Sequence, residues 1–465
     1  MQNVLLYILG IVIVVVGLAL SIGLHELGHL IPAKRFGVRV SQYMIGFGPT
    51  LFSRRRGETE YGLKAIPLGG YISMAGMFPP SRGDSAPRTA TTGVFQALVQ
   101  DAPPQPARST VLTTEATMGD TGAAAAAAAA EATESAEADR SFYRLPVYKR
   151  VIIMLGGPFM NLVIAVVLYA VLLCGFGIPQ ASTTVGSVSA CVLPATSTQT
   201  KCSPSDAEAP GRAAGITPGD RIVSIDGTPI ASWEQGTAVI RASPGQELSI
   251  VVERDGTAQT LTATPLLNER YVTDASGAPV TDANGAKVTT NVGFLGISPA
   301  TEVVRQPVTA VLPAVGDNIS RVFRLILTLP QRMVDVVNAA FGPGERDPNG
   351  PVSVVGVGRI AGEITSLNTV PVQERAAALI GLIASLNVAL FVFNLIPLMP
   401  LDGGHVAGAL FEGIRRFFAR LFRRPDPGPV DTARLIPLTL AVVVVLGAMS
   451  LLLIYADIVK PISIF

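Results

Sequence analysis

The 465-residue chain is 49% hydrophobic and only 15% charged, against roughly a quarter charged in an average soluble domain. One soluble core cannot absorb that much apolar side chain, so an ordinary soluble domain is a poor reading and membrane-spanning segments are the first expectation. The formal net charge of +1 gives no bulk basicity for nucleic acid, and no nucleic-acid partner is expected; charge matters here through its placement.

Residues 4–24 carry no charge and are long enough to cross a hydrocarbon core of roughly 30 Å as a helix. No basic stretch precedes them, the run is too long for a signal-peptide core, and polar residues follow at once, so an uncleaved transmembrane helix is expected over 1–40. In 41–78, apolar residues alternate with glycines, which predicts membrane-associated β-hairpins. Residues 79–141 are rich in Ala, Thr, Pro and Ser, with an alanine tract at 123–130. They read as a low-complexity cytoplasmic insert without chemistry. A second span, 151–177 within 142–178, follows Lys149 and Arg150.

Beyond it, the Asp226-Gly227 and Asp255-Gly256 turns separate short alternating runs, predicting a small β-rich domain over 182–268. Cys191 and Cys202 fall near its start and could form a disulfide outside the cytoplasm, worth roughly 3 kcal/mol by loop closure. Residues 269–375 read as a connecting region. Its apolar stretch 308–341 is broken by Asp317, Arg321, Arg324, Arg332 and Asp335, so an amphipathic helix is expected there, not a span. A third span (376–405), a basic loop (406–434) and a fourth span (435–460) complete the chain.

Placement of Lys and Arg orients the spans. Lys34, Arg35, Arg39 and Arg54–Arg56 follow the first, Lys149 and Arg150 precede the second, and Arg415, Arg416, Arg420, Arg423 and Arg424 lie between the third and fourth. Both termini are then expected outside, with the β-rich domain extracytoplasmic. By parity the first and third spans both run inward, so their ends meet at the cytoplasmic face.

Those two ends carry the chemistry. His25-Glu26-Leu27-Gly28-His29 sets two histidines four apart, on one helix face, where both imidazoles can bind one ion while Glu26 beside it takes a proton from metal-bound water. Chance HExxH sequences occur in soluble helices, but at a membrane edge such residues cost free energy unless something binds them. Tetrahedral catalytic zinc needs a third protein ligand. The chain has three histidines, His25, His29 and His405, and no CxxC pattern. Asp402, after Pro397 and Pro400, is the best third candidate, with helix-end capping as its competing role. His405 reads as packing near the site or supporting a ligand.

With these motifs, Gly156-Gly157-Pro158-Phe159-Met160-Asn161 in the second span, and Asn394-Leu-Ile-Pro-Leu-Met-Pro-Leu-Asp402-Gly-Gly-His405, the chain resembles the bacterial site-2 protease family of intramembrane zinc metalloproteases, of the actinobacterial type with one PDZ domain. The resemblance implies a polytopic α-helical membrane protein of four transmembrane helices with an inserted extracytoplasmic β-rich PDZ-like domain. It implies Zn2+ on His25, His29 and Asp402, and Glu26 as general base. Asn394 would hold substrate backbone; Asn161 is a weaker candidate for a similar role, with helix packing beside Gly156-Gly157 as its alternative. The Gly46-Phe47-Gly48 stretch resembles the family's membrane-re-entrant hairpin. Segment 211–227 resembles its PDZ domain, which would filter substrates or act as a passive shield.

The resemblance further implies a multi-pass plasma-membrane enzyme cutting single-span membrane proteins, such as anti-sigma factors, as the second cut of regulated intramembrane proteolysis, after a site-1 protease. The alternative from another class is a membrane-anchored PDZ binding scaffold without catalysis.

Overall fold

The computed structural model describes residues 2–79, 88–91, 140–197, 199, 201–273, 280, 282, 286–343, 346–347, 350–430 and 436–462. The alanine tract and most of the insert expected at 79–141 lie outside these. The chain divides into two compact units, one of residues 1–176 with 307–465 and one of residues 177–306.

In the first unit, α1 (Gln2–Arg35) leads into β1 (Val40–Arg56) and β2 (Thr59–Phe78). Then come α2 (Val147–Ala170, prolonged by a wide turn Val171–Phe176), and, after the second unit, α4 (Val311–Phe341), α5 (Val354–Ser366), α6 (Val372–Asn394), α7 (Asp402–Leu421) and α8 (Ile436–Val459). Four helices among the described residues are long and apolar enough to cross a membrane: Asn3–Arg35, Val147–Phe176, Val372–Asn394 and Pro437–Val459. The first unit is thus a polytopic helical assembly, and α4 with its charged face is not among the four.

Close helix crossings in this unit depend on small residues. An added Cβ on Gly28 would lie 2.2 Å from the Gly156 carbonyl oxygen, and one on Gly156 would lie 2.1 Å from that of Gly28. Pro32 removes the amide that would bond the Gly28 carbonyl, leaving that oxygen facing α2. Polar bonds join the helices elsewhere: Asn387 Nδ2 of α6 donates to Ser21 Oγ of α1 at 2.9 Å, and Thr365 Oγ1 of α5 donates to the Leu6 carbonyl at 2.8 Å.

The strand β1 is paired on both sides. Met44 faces Tyr71 on one side and Gly62 on the other, both in β2, so β2 wraps the first half of β1. A short strand, β3 (Arg88–Thr91), extends this sheet antiparallel to β2. This strand falls within the insert expected over 79–141. The far end of that insert is fastened too: Arg140 donates from Nη1 and Nη2 to Glu58 at 2.9 and 2.8 Å. Ile72, Met74, Val38, Val40, Ile153 and Met154 are buried together between sheet, α1 and α2.

The second unit is β-rich. Its main sheet runs β11-β4-β5-β7-β8, with β6 pairing β5, from β4 (Ile178–Val188), β5 (Arg221–Ile225), β6 (Thr228–Pro229), β7 (Leu248–Arg254), β8 (Thr257–Ala263) and β11 (Ile297–Val304). A separate hairpin pairs β9 (Leu266–Tyr271) with β10 (Thr289–Phe294), and helix α3 (Trp233–Ala242) is capped by Ser232. The core holds Val185, Ile222, Ile225, Leu248, Ile250, Val252 and Leu295. Cys191 and Cys202 are disulfide-bonded. The unit is wider than the expected 182–268: its last strand, β11, pairs with its first, β4, and a boundary at 268 would cut that pair. The first part of the connecting region, residues 269–306, therefore belongs to this unit, and the rest to the first.

Two further expectations change. The third apolar helix stops at Asn394, so Asp402 does not lie at its end; it is the first residue of α7. The basic loop expected at 406–434 is helical through Leu421.

Candidate metal centre

α1 presents His25, Glu26 and His29, which are 9%, 4% and 0% exposed. Burial of three ionisable groups on one apolar helix demands partners. Each imidazole has one at its inner nitrogen. His29 Nδ1 bonds the Ile153 carbonyl of α2 at 2.7 Å, and His25 Nδ1 lies 3.1 Å from the Asn161 carboxamide of α2. Both contacts turn the Nε2 atoms toward each other, 3.2 Å apart. Among the described residues the Asn161 Oδ1 has no hydrogen-bond partner of its own. Turned by half a revolution, that oxygen accepts from His25 Nδ1–H, and both rings then present a bare Nε2 lone pair to the same point.

The chain turns tightly to bring the carboxylate there. Between Asn394 and Asp402, Pro397 and Pro400 prevent α6 from continuing, and α7 starts folded back against this turn. Gly403 and Gly404 permit that approach: a Cβ would lie 2.3 Å from the Ile396 oxygen at the first and 2.7 Å from the Leu398 carbonyl carbon at the second. Asp402 Oδ2 thereby comes to 3.2 Å from His25 Nε2 and 3.3 Å from His29 Nε2.

The three atoms form a nearly equilateral triangle. Ligand bonds of about 2.0–2.1 Å at tetrahedral angles require separations of about 3.3–3.4 Å, within a tenth or two of those observed. Asp402 is 5% exposed and its Oδ2 has no hydrogen-bond partner among the described residues. A buried carboxylate oxygen without a donor is a costly arrangement that a cation at the triangle's centre resolves. The donor set of two imidazoles and one carboxylate suits zinc, leaving a fourth position open. These three residues are the one group of metal-binding type among the described residues.

Two glycines pack closely against these side chains. Gly157 of α2 lies so close that a Cβ would sit 2.2 Å from His29 Nε2 and 2.7 Å from His25 Cε1. Gly70 of β2 faces Glu26, with a Cβ position 3.0 Å from its Cγ, and Tyr43 of β1 donates to the Gly23 carbonyl at 2.7 Å. The sheet is thus fixed beside the glutamate.

The remaining candidates separate. Asn161, read from sequence as a weak candidate for holding substrate, is 0% exposed and engages His25 instead; a fully buried carboxamide is not offered to an incoming chain. Asn394 is the half-buried last residue of α6. His405 follows Asp402 by three residues in α7 and is not part of the triangle. The Ile153 carbonyl was not legible in the sequence, since a backbone group carries no residue-type signal, and Gly157 was visible only as part of a glycine pair.

Comparison with known proteins agrees with this geometry. The family model described as peptidase family M50 matches residues 13–422, a stretch that includes both His25–His29 and Asp402. The chain is 32% identical to the zinc metalloprotease Rip1 of Mycobacterium tuberculosis, over 99% of this chain and the whole of that protein. It is 31% identical to Rip1 of Mycolicibacterium smegmatis, over 98% and 99% of the two chains, and 29% identical to the metalloprotease MmpA of Caulobacter vibrioides, over 89% and 86%. The chain belongs to peptidase family M50, the site-2 protease family, as a membrane-embedded zinc metalloprotease.

Proposed function

We propose that the chain is an intramembrane endopeptidase that cuts single-span membrane proteins within or near their transmembrane segment, with zinc held by His25, His29 and Asp402 and with Glu26 as general base. The observation that carries this is the 3.2–3.3 Å triangle, assembled from one apolar helix and the turn that follows another. Zinc held there would supply a Lewis acid and lower the pKa of a water toward neutral. Glu26 accepts the water proton on its carboxylate and passes it to the leaving amide nitrogen. Ile153 and Asn161 keep the histidine rings in the required orientation and tautomer. Burial of the group excludes bulk water and strengthens each of these interactions.

A transmembrane helix bonds all its amides internally, so a substrate has to unwind before its carbonyl can be reached. The β1–β2 sheet beside Glu26 suits the presentation of an extended segment, and Asn394 is proposed to hold substrate backbone. The charge pattern supports a site near the cytoplasmic face of a plasma membrane, with the second unit outside. In that place, unit 177–306 acts as a PDZ-like filter that selects substrates already shortened by a site-1 protease, anti-sigma factors among them. Peptide addition to a sheet edge would give such recognition.

The test uses the purified full chain, reconstituted with a model single-span substrate. Glu26→Ala is expected to keep zinc and lose cleavage, and Asp402→Ala to lose both; unchanged cleavage in either variant removes the mechanism. For the physiological role, truncated membrane proteins should accumulate in a Glu26→Ala strain. If casein is cut as fast as the membrane substrate, the site serves soluble proteins instead.

A further inference from the structure

Helix α7 turns an apolar face outward. Leu410, Phe411, Ile414, Phe417, Phe418 and Leu421 are between 49% and 63% exposed. At 100° per residue they occupy an arc of about 120°. Phe422, just past the helix, prolongs the stripe at 66% exposure. The opposite face is the packed one: Glu412 is 1% exposed and bonded by Arg150 of α2 at 2.7 and 3.1 Å, and Gly413 lies against Val147. So large a contiguous apolar surface marks an interaction site.

The rim of this stripe is basic. Arg420 flanks it, and Arg423 and Arg424 follow the helix; all three are exposed, and among the described residues none has an acidic partner, the nearby carboxylates Glu412 and Asp426 being engaged by Arg416. Two connections tie α7 to the ends of two candidate spans. Its first residue follows the end of the apolar helix α6 by eight positions, within about 25–30 Å of extended chain. Its packed face meets residues 147 and 150, at the start of the apolar helix α2. A surface that is apolar, rimmed by arginine and placed at the ends of two spans complements an anionic lipid leaflet.

We infer that α7 is an interfacial helix, its apolar face immersed in the acyl region and Arg420, Arg423 and Arg424 bound to anionic phospholipid headgroups. Since Asp402 is its first residue, the lipid surface then bears on the placement of that carboxylate.

The chain has a single tryptophan, Trp233, which permits a test independent of catalysis. Phe417→Trp in a Trp233→Phe background places the only indole on the stripe; Phe422→Trp in the same background is the second variant, in case the first does not fold. Each full-length protein is reconstituted in phosphatidylcholine mixed with phosphatidylglycerol, with acyl bromines on one lipid at a time. Brominated lipid should quench the indole strongly and aqueous iodide little. Brominated phosphatidylglycerol should outperform brominated phosphatidylcholine at equal mole fraction, by about fivefold for each arginine that keeps a headgroup contact. Replacing Arg420, Arg423 and Arg424 by Gln should bring the ratio to about one. Quenching by iodide overturns the inference in favour of a water-facing stripe. Protection from both quenchers overturns it in favour of a protein partner, such as a second copy. Equal quenching by the two lipids overturns the anionic-headgroup assignment.

Discussion

An alanine at position 157 is the smallest perturbation that reaches the metal centre. Its Cβ would stand 2.2 Å from His29 Nε2 and 2.7 Å from His25 Cε1, where ordinary contact needs about 3.4 Å or more, so α2 and the rings must separate by about 1 Å. His29 cannot swing aside cheaply: it is 0% exposed and held by the Ile153 carbonyl at 2.7 Å. The helix itself gains from the change, because alanine is favoured over glycine in a helix interior by about 1 kcal/mol. Membrane insertion should therefore survive while the ligand geometry does not. A 1 Å displacement of a catalytic group costs about 100-fold in rate, and disturbed ligand orientation costs about 10- to 100-fold in metal affinity. Purified Gly157→Ala is assayed for zinc retained against a graded chelator and for cleavage of a single-span substrate. Gly175→Ala, whose Cβ meets nothing within 4 Å, is the control in the same span. Wild-type zinc retention and cleavage in Gly157→Ala would refute the assignment of His25 and His29 as ligands facing α2.

Asn161→Ala should weaken zinc retention by about 10- to 100-fold while Asn161→Asp keeps most of it; equal loss in both points to packing instead. The buried Arg150–Glu412 pair, with Arg416 also on Glu412 at 3.0 Å, makes a further prediction. Glu412→Leu strands Arg150 and should cost about 3–5 kcal/mol, whereas adding Arg150→Met should recover most of that, read as thermal unfolding in detergent. In the second unit, Arg254 bonds Asp220 from Nε and Nη2 at 2.7 Å each, and Thr217 N–H adds a third bond at 2.8 Å. These hold the Asp220 carboxyl below its usual range, the arginine contributing most. Its stabilisation is complete above the unfolded value near 4 and is lost as pH falls through the lowered folded value. A fragment spanning 177–306 should melt lower in acid, and Asp220→Asn should melt lower at neutral pH with a flatter acid profile; parallel profiles would discount the ion pair. Removing Cys191 and Cys202 together should destabilise the same fragment by about 3 kcal/mol, and reductant should have no further effect on that variant.

Much of the molecule was local enough to be read from residue order. Apolar runs of bilayer length mark the helices now seen at Asn3–Arg35, Val147–Phe176, Val372–Asn394 and Pro437–Val459, because length and uncharged composition are properties of a segment by itself. The shared face of His25 and His29 follows from four-residue spacing on any helix. Charge interruptions kept α4 apart from the spans for the same reason.

Tertiary structure decided the rest. Whether Asp402 closes a helix or opens one depends on how the Gly403-Gly404 pair packs against the carbonyls of Leu395, Ile396 and Leu398, contacts that spacing does not encode. The role of Asn161 depends on α2 crossing α1 at Gly28 and Gly156, which brings residues 136 apart into a 3.1 Å contact. The second unit runs to 306 because β11 returns to pair with β4, a long-range strand partnership invisible to periodicity. Helix α7 looked like a basic loop because its arginines are plain in sequence, while the distinction between its packed and outward faces exists only once Glu412 has met Arg150. The sequence by itself determined which residues could hold a metal; the close crossing of two glycine-bearing helices and one tight turn determined that their donor atoms stand 3.2–3.3 Å apart.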